Sequence, residues 1–121
     1  MKSILVIDDD REFREMLRKA LLRKEYKVLL AADGEAGYNL YKAQPVDLVI
    51  TDLIMPRKEG IRTIFELKRD FPDVKIIAIS GGGRLNPSSY LDTADAFGAN
   101  RSFAKPFKLG DMLEAIDELL N

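Results

Sequence analysis

Apolar residues along the chain alternate between two spacings. Residues 3–7, 28–32, 48–50 and 74–79 form short, nearly unbroken apolar runs. Runs of that length without a polar face suit parallel strands covered by helices on both sides. Between them apolar residues recur at helical spacing: Phe13, Met16, Leu17, Ala20 and Leu21, then Ala36, Leu40 and Ala43, then Ile61, Ile64, Phe65, Leu67 and Phe71. Each set predicts an amphipathic helix with that stripe inward, and Arg14, Arg18, Lys19 and Arg23 face outward on the first. Past residue 84 the signal thins. It supports a short helix over 90–97, a brief strand over 101–104, and a final helix marked by Leu109, Met112, Leu113, Ile116 and Leu120.

Turn residues separate these elements. Asp33-Gly34 turns the chain into the second helix, Gln44-Pro45 ends it, Pro72-Asp73 closes the third and Gly98 the short fourth, because the residue before proline is biased away from helical angles and glycine stops a helix cheaply. Gly37 weakens the second helix, whose apolar stripe Tyr38 and Tyr41 flank, and Gly110 in the first turn of the last helix costs up to ~1 kcal/mol relative to alanine. Lys105-Pro106 is a candidate cis peptide. Five strands alternating with five helices over short connections predict one α/β domain, a doubly wound five-stranded parallel sheet with helices on both faces.

Composition narrows the chemistry. The 121 residues are 46% hydrophobic and 32% charged, which fits one globular domain. Nineteen Lys and Arg against 20 Asp and Glu leave a formal charge of −1, so no general attraction to nucleic acid or a membrane surface is expected. There is no cysteine and no histidine, which excludes disulfides, thiolate sites, histidine bases and a self-generated phosphohistidine. No long apolar segment or signal-peptide pattern opens the chain, and a soluble cytoplasmic protein is the simplest expectation.

Polar residues cluster where the strands end. The first run stops at Asp8, Asp9 and Asp10, the third delivers Asp52 just before Met55-Pro56, the fourth ends at Ser80-Gly81-Gly82-Gly83, and the fifth at Lys105-Pro106. In an open parallel sheet the crevice beyond the carboxyl ends of the strands is where ligands bind. Each residue also has a bland reading. An aspartate caps the following helix, Asp52 is a solvated loop carboxylate, and the glycines are a plain surface loop. One cap, however, does not need three acids. Adjacent carboxylates repel unless a cation offsets them, and all-oxygen ligation suits a hard divalent ion such as Mg²⁺.

Val6-Ile7-Asp8-Asp9-Asp10, the run from Asp47 to Pro56, Ser80, and Ala104-Lys105-Pro106-Phe107, in that order and each at a strand end, resemble a response-regulator receiver domain of two-component signalling over essentially the whole length. The resemblance implies a CheY-like, flavodoxin-like fold with strand order 2-1-3-4-5, and a single receiver domain over residues 1–121 with no output domain. It implies Asp52 as phosphoacceptor, Mg²⁺ held by Asp8, Asp9, Asp52 and the backbone carbonyl of Ile54, and phosphoryl contacts from Ser80, Gly81 and Lys105. A sensor histidine kinase or histidine phosphotransfer protein would be the donor and another protein the downstream target. A phosphorylation-dependent dimer is one form such an output takes. The chain would catalyse only its own phosphorylation and dephosphorylation.

Many receivers carry a switching aromatic three residues before the lysine, and here that position is Ser102. Phe103 points to the opposite face of its strand and is no substitute. Rearrangement of Gly81-Gly82-Gly83 and residues 84–89 is therefore expected to carry most of the readout, starting from Ser80. Two rivals share the outline, an FMN-binding flavodoxin-like module and a Mg²⁺-dependent aspartyl phosphatase. Three aspartates would repel a flavin phosphate at the first strand end, and no general acid or cap over a substrate pocket is evident near Asp52.

Overall fold

The computed structural model describes residues 1–53, 60–80 and 98–121. In chain order these form β1 (Ser3–Ile7), α1 (Arg11–Arg23), β2 (Lys27–Ala31), α2 (Gly34–Ala43), β3 (Leu48–Asp52), α3 (Gly60–Asp70), β4 (Ile76–Ser80), β5 (Arg101–Ala104) and α4 (Leu109–Leu120). All strand pairs are parallel, in the order β2-β1-β3-β4-β5. The expected helix over 90–97, the Met55-Pro56 turn and the glycine run lie outside the described residues.

Alternation along the strands explains why the sequence shows unbroken apolar runs. Leu5, Ile7, Val49, Leu53, Ile76 and Ala78 face one layer, where they meet Tyr41 of α2 and Ile64 and Leu67 of α3. Ile4, Val6, Leu48, Ile50, Ile77 and Ile79 face the other, against Leu17 and Leu21 of α1 and Met112, Ala115, Ile116 and Leu120 of α4. Both faces of the central strands are therefore core. Each fully buried aliphatic chain contributes about 1.5–3 kcal/mol relative to exposure. The sheet is packed on both faces, and Asp8, Asp52, Ser80 and Lys105 stand at or just past its strand ends.

Several helix faces differ from the pattern reading. On α2 the buried residues are Gly34, Gly37 and Tyr41, while Ala36 and Ala43 are exposed. Gly37 sets this rotation: a Cβ there would lie 2.3 Å from Ile7 Cδ1, so its absence lets the helix settle onto β1 and turns Tyr41 inward. On α3 the inward line is Gly60, Thr63, Ile64 and Leu67, at i, i+3, i+4 and i+7. Phe65 falls off that line, and its exposed ring packs beneath the Arg69 guanidinium. Met16 of α1 is likewise exposed rather than inward. The β2 strand begins at Lys27, one residue earlier than read, and β4 begins at Ile76, later than read, with Val74 buried ahead of it. The Lys105-Pro106 peptide is cis.

The glycines of α2 and α4 differ in what surrounds them. Nothing lies within 4 Å of a Cβ built at Gly110, so Gly110→Ala is expected to raise stability by about 0.5–1 kcal/mol through helix propensity alone. Gly37→Ala, pressing on a buried isoleucine, is expected to lower it by about 1–3 kcal/mol. Urea midpoints of the two variants against the parent check both signs.

Candidate functional site

The three acids after β1 have separate tasks. Asp10 is the N-cap of α1, its Oδ1 accepting from the backbone N–H of Glu12 at 3.0 Å and of Phe13 at 3.3 Å. That satisfies orphan donors of the helix start. Asp8 is buried, and its Oδ1 accepts the Asp10 N–H at 2.8 Å. Asp9 is exposed between them. One acid is thus spent on capping, and two are left at the mouth of the sheet.

Asp52 is the last residue of β3 and is buried. Its register partner on β4 is Ile79, the Leu53 N–H donates to the Ile79 carbonyl at 2.9 Å, and the Thr51 hydroxyl donates to the Asp52 carbonyl at 3.0 Å. The start of α3 presses on the same backbone. A Cβ at Gly60 would lie 1.9 Å from the Asp52 carbonyl oxygen, and the Gly60 N–H donates to the Leu53 carbonyl at 3.1 Å. Only a residue without a side chain permits that approach. The carboxylate is aimed by strand, hydroxyl and helix together.

Carboxylate oxygens of Asp8, Asp9 and Asp52 all lie within 4.8 Å of one another. The Lys105 ammonium reaches two of these residues, at 3.1 Å to Asp8 Oδ2 and 3.3 Å to Asp52 Oδ2. The Lys105 backbone N–H donates to the Ser80 carbonyl at 2.7 Å. Ser80 ends β4, and its Oγ is buried without a hydrogen-bond partner among the described residues. The pairs Lys105–Asp8 and Lys105–Asp52 span 97 and 53 residues of sequence, so the fold alone creates the cluster. Ile54 and Gly81 lie outside the described residues. Ser102 lies half-buried on β5 beside Ala78, and Phe103 packs on the opposite face with Phe107.

Among the described residues, three carboxylates share one ammonium. Burial pushes the Asp8 carboxyl up from 3.8 to about 6, with repulsion from Asp52 adding to it and the Asp10 N–H and Lys105 opposing it. For Lys105 burial pulls the other way, but the charges of Asp52 and Asp8 outweigh it and raise the ammonium above its ordinary value. The donor set is oxygen only, two acids buried and one exposed, which fits a hard divalent cation better than a soft one.

Two supporting residues escaped the pattern reading. Arg14, read as outward, places Nη1 2.7 Å from the Asp8 carbonyl oxygen, and Phe13 lies under the Lys105 ammonium, 4.2 Å from ring centroid to Nζ. Helical periodicity sees Arg14 as a surface charge and Phe13 as core. An i+4 offset of Phe13 from Asp9 and i+6 of Arg14 from Asp8 brings them back to the acidic turn only once the helix direction is known. No described helix is long and apolar enough to cross a membrane.

Residues 4–117 match the family model described as the response regulator receiver domain. The response regulator receiver protein CpdR of Brucella abortus is 34% identical over 122 residues, covering 99% of this chain and 98% of that protein. The response regulator MprA of Mycolicibacterium vanbaalenii is 36% identical over 97% of this chain, which spans 49% of that regulator's length. Among solved structures, the response regulator TrrA from Thermotoga maritima, in complex with Mg²⁺-BeF, has a TM-score of 0.88 at 29% identity, covering 99% of this chain and all of that one. A CheY-like receiver domain protein from Methanospirillum hungatei has a TM-score of 0.91 at 27% identity, over 99% of this chain and 94% of that one.

Burial of the Asp8 carboxyl has a measurable consequence for stability. The folded-state pKa of Asp8 lies above its unfolded value, so the contribution of Asp8 to stability is fully present below pH 3.8 and is lost as pH rises through about 6. Asp8→Asn keeps an acceptor for the Asp10 N–H and removes the buried charge. In chelator it is expected to stabilise the chain at pH 7.5 by about 1–2 kcal/mol, the gain closing towards pH 4. Denaturation at the two pH values tests this, and equal stability of variant and parent at pH 7.5 would contradict it.

Proposed function

Because the chain belongs to the response regulator receiver domain family, we propose that it takes a phosphoryl group from a histidine kinase or phosphotransfer protein onto Asp52. The observation that carries this reading is the Lys105 ammonium shared by two buried carboxylates beside the buried Ser80 hydroxyl, all at the carboxyl ends of neighbouring strands. Phosphoryl transfer asks a protein for positioning and charge neutralisation more than for covalent chemistry. Those are the resources gathered here.

An Oδ atom of Asp52 attacks the phosphorus of the donor phosphohistidine. The donor reacts with its other ring nitrogen already protonated, so that as the O–P bond forms and the N–P bond breaks the electron pair returns to a cationic ring and neutral histidine leaves. Lys105 exchanges its contact with Asp52 for a phosphoryl oxygen, and the Ser80 hydroxyl, already buried and aimed at no other described group, donates to a second. Each charge-assisted contact is worth roughly 1.5–3 kcal/mol. Asp8, Asp9 and Asp52 would hold Mg²⁺, with the Ile54 carbonyl as the expected backbone ligand. When bound, the ion offsets the charge of both the acids and the incoming phosphoryl group. The acidic turn that would attract it also disfavours a flavin phosphate at the same strand end.

Phosphorylation fixes nearly two negative charges among these strand ends. The change reaches a partner protein through Ser80 and the segment that follows it, with Gly81 contributing a backbone donor. Ser102 supplies no aromatic for the usual route, and its half-buried position beside Ala78 leaves a small side chain where that ring would move. A cytoplasmic setting, in contact with the kinase, follows from this reading.

Incubation with acetyl phosphate and Mg²⁺ is expected to add one phosphoryl mass to the intact chain. Asp52→Asn should add none, and chelation of the metal should slow the reaction at least about tenfold. A folded, magnesium-supplied parent that stays unmodified with acetyl phosphate and with phosphoramidate contradicts the proposal.

A further inference from the structure

The Lys105 ammonium has three N–H donors, and the structure gives it three directions. Two lead to Asp8 Oδ2 and Asp52 Oδ2, at 3.1 and 3.3 Å, and the third to the ring of Phe13, whose centroid lies 4.2 Å from Nζ. That separation is well inside the range in which an aromatic face attracts a cation. The ring is itself held in orientation. Phe107 meets it edge to face, with centroids 6.1 Å apart at 80°, and Phe103 packs against Phe107 at 5.6 Å. Phe13 also sits in the first turn of α1, the turn that Asp10 caps and that Arg14 ties to the Asp8 carbonyl. Ring, cap and the Asp8 carbonyl are therefore tied to one turn.

Lys105 needs this support because its stem is long and flexible and it follows the last residue of the edge strand β5. Carboxylates alone draw the ammonium towards the acids. A ring face on the third side gives it a position between them and the crevice mouth. We propose that Phe13 is a positioning residue for phosphoryl transfer, its ring face holding one side of the Lys105 ammonium so that the remaining donors meet the incoming phosphoryl oxygen. This rests on the reading of Asp52 as phosphoacceptor. A leucine at position 13 would supply apolar bulk without the negative face, whereas tyrosine would keep the face. Phe13 borders a hollow of about 390 Å³ shared with Met16, Lys105, Pro106, Phe107 and Leu109.

The test is the initial rate of phosphorylation by acetyl phosphate in saturating Mg²⁺ for the parent, Phe13→Leu and Phe13→Tyr, each also carrying Lys105→Gln. Thermal midpoints and calorimetric Mg²⁺ affinity without donor are measured in parallel. Phe13→Leu is expected to lower the rate about three- to tenfold, Phe13→Tyr to stay near the parent, and Mg²⁺ affinity to hold within about twofold. In the Lys105→Gln background Phe13→Leu should change the rate by less than about twofold, because the residue through which it acts is gone. Where that background is too slow to follow, calorimetric affinity for beryllofluoride gives the same comparison, and Phe13→Met replaces Phe13→Leu if the latter does not fold. An unchanged rate in Phe13→Leu, an equal fall in both backgrounds, or an equal fall in Phe13→Tyr overturns the proposal. A parent that takes up no phosphoryl group overturns the reading of Asp52 instead.

Discussion

The contact on which the site depends is the ammonium of Lys105 between the carboxylates of Asp8 and Asp52. Both acids are almost wholly buried, at 1% and 6% exposure, and a buried charge is tolerated only when another charge or several donors meet it. Among the described residues one ammonium faces three carboxylates. Burial, with repulsion from Asp52 adding to it, pushes the Asp8 carboxyl up to about 6. A site in that condition attracts further positive charge, and in the proposed function that attraction is what draws a divalent ion and then tolerates an anionic phosphoryl group beside Asp52.

The apolar architecture makes this imbalance sustainable. The strands β1, β3 and β4 are buried along their lengths and packed on both faces, so their ends are fixed by far more contacts than the acids can disturb. Gly60 lies against the carbonyl of Asp52, and Arg14 holds the carbonyl of Asp8. These backbone clamps keep repelling side chains at close range. Without them the acids would separate.

Much of this was legible in the sequence because strands buried on both faces announce themselves as apolar runs, and polar residues interrupting such runs stand out. Asp8, Asp9, Asp52, Ser80 and Lys105 were found that way, and the structure brings them to one end of the sheet. Helix rotation was less legible. Ala36 and Ala43 mimic an inward stripe on α2, but Gly37 lets that helix approach Ile7 and turns Tyr41 inward instead. Phe65 reads as core by its spacing yet lies one step off the buried line of α3. Arg14 is read as outward for a related reason, and Phe13, inward as its spacing predicts, also reaches Lys105: periodicity within a helix does not encode direction towards a distant lysine.

The ammonium and a divalent ion are, on this account, alternative ways of meeting the same negative charge. The most direct measurement is therefore the stabilisation conferred by saturating Mg²⁺ at pH 7.5 on the parent and on Lys105→Met, read from denaturation in magnesium and in chelator. Removing the ammonium should destabilise the chelated chain, and Mg²⁺ should then stabilise Lys105→Met by more than it stabilises the parent. Equal stabilisation of the two chains, or none in either, would contradict the account.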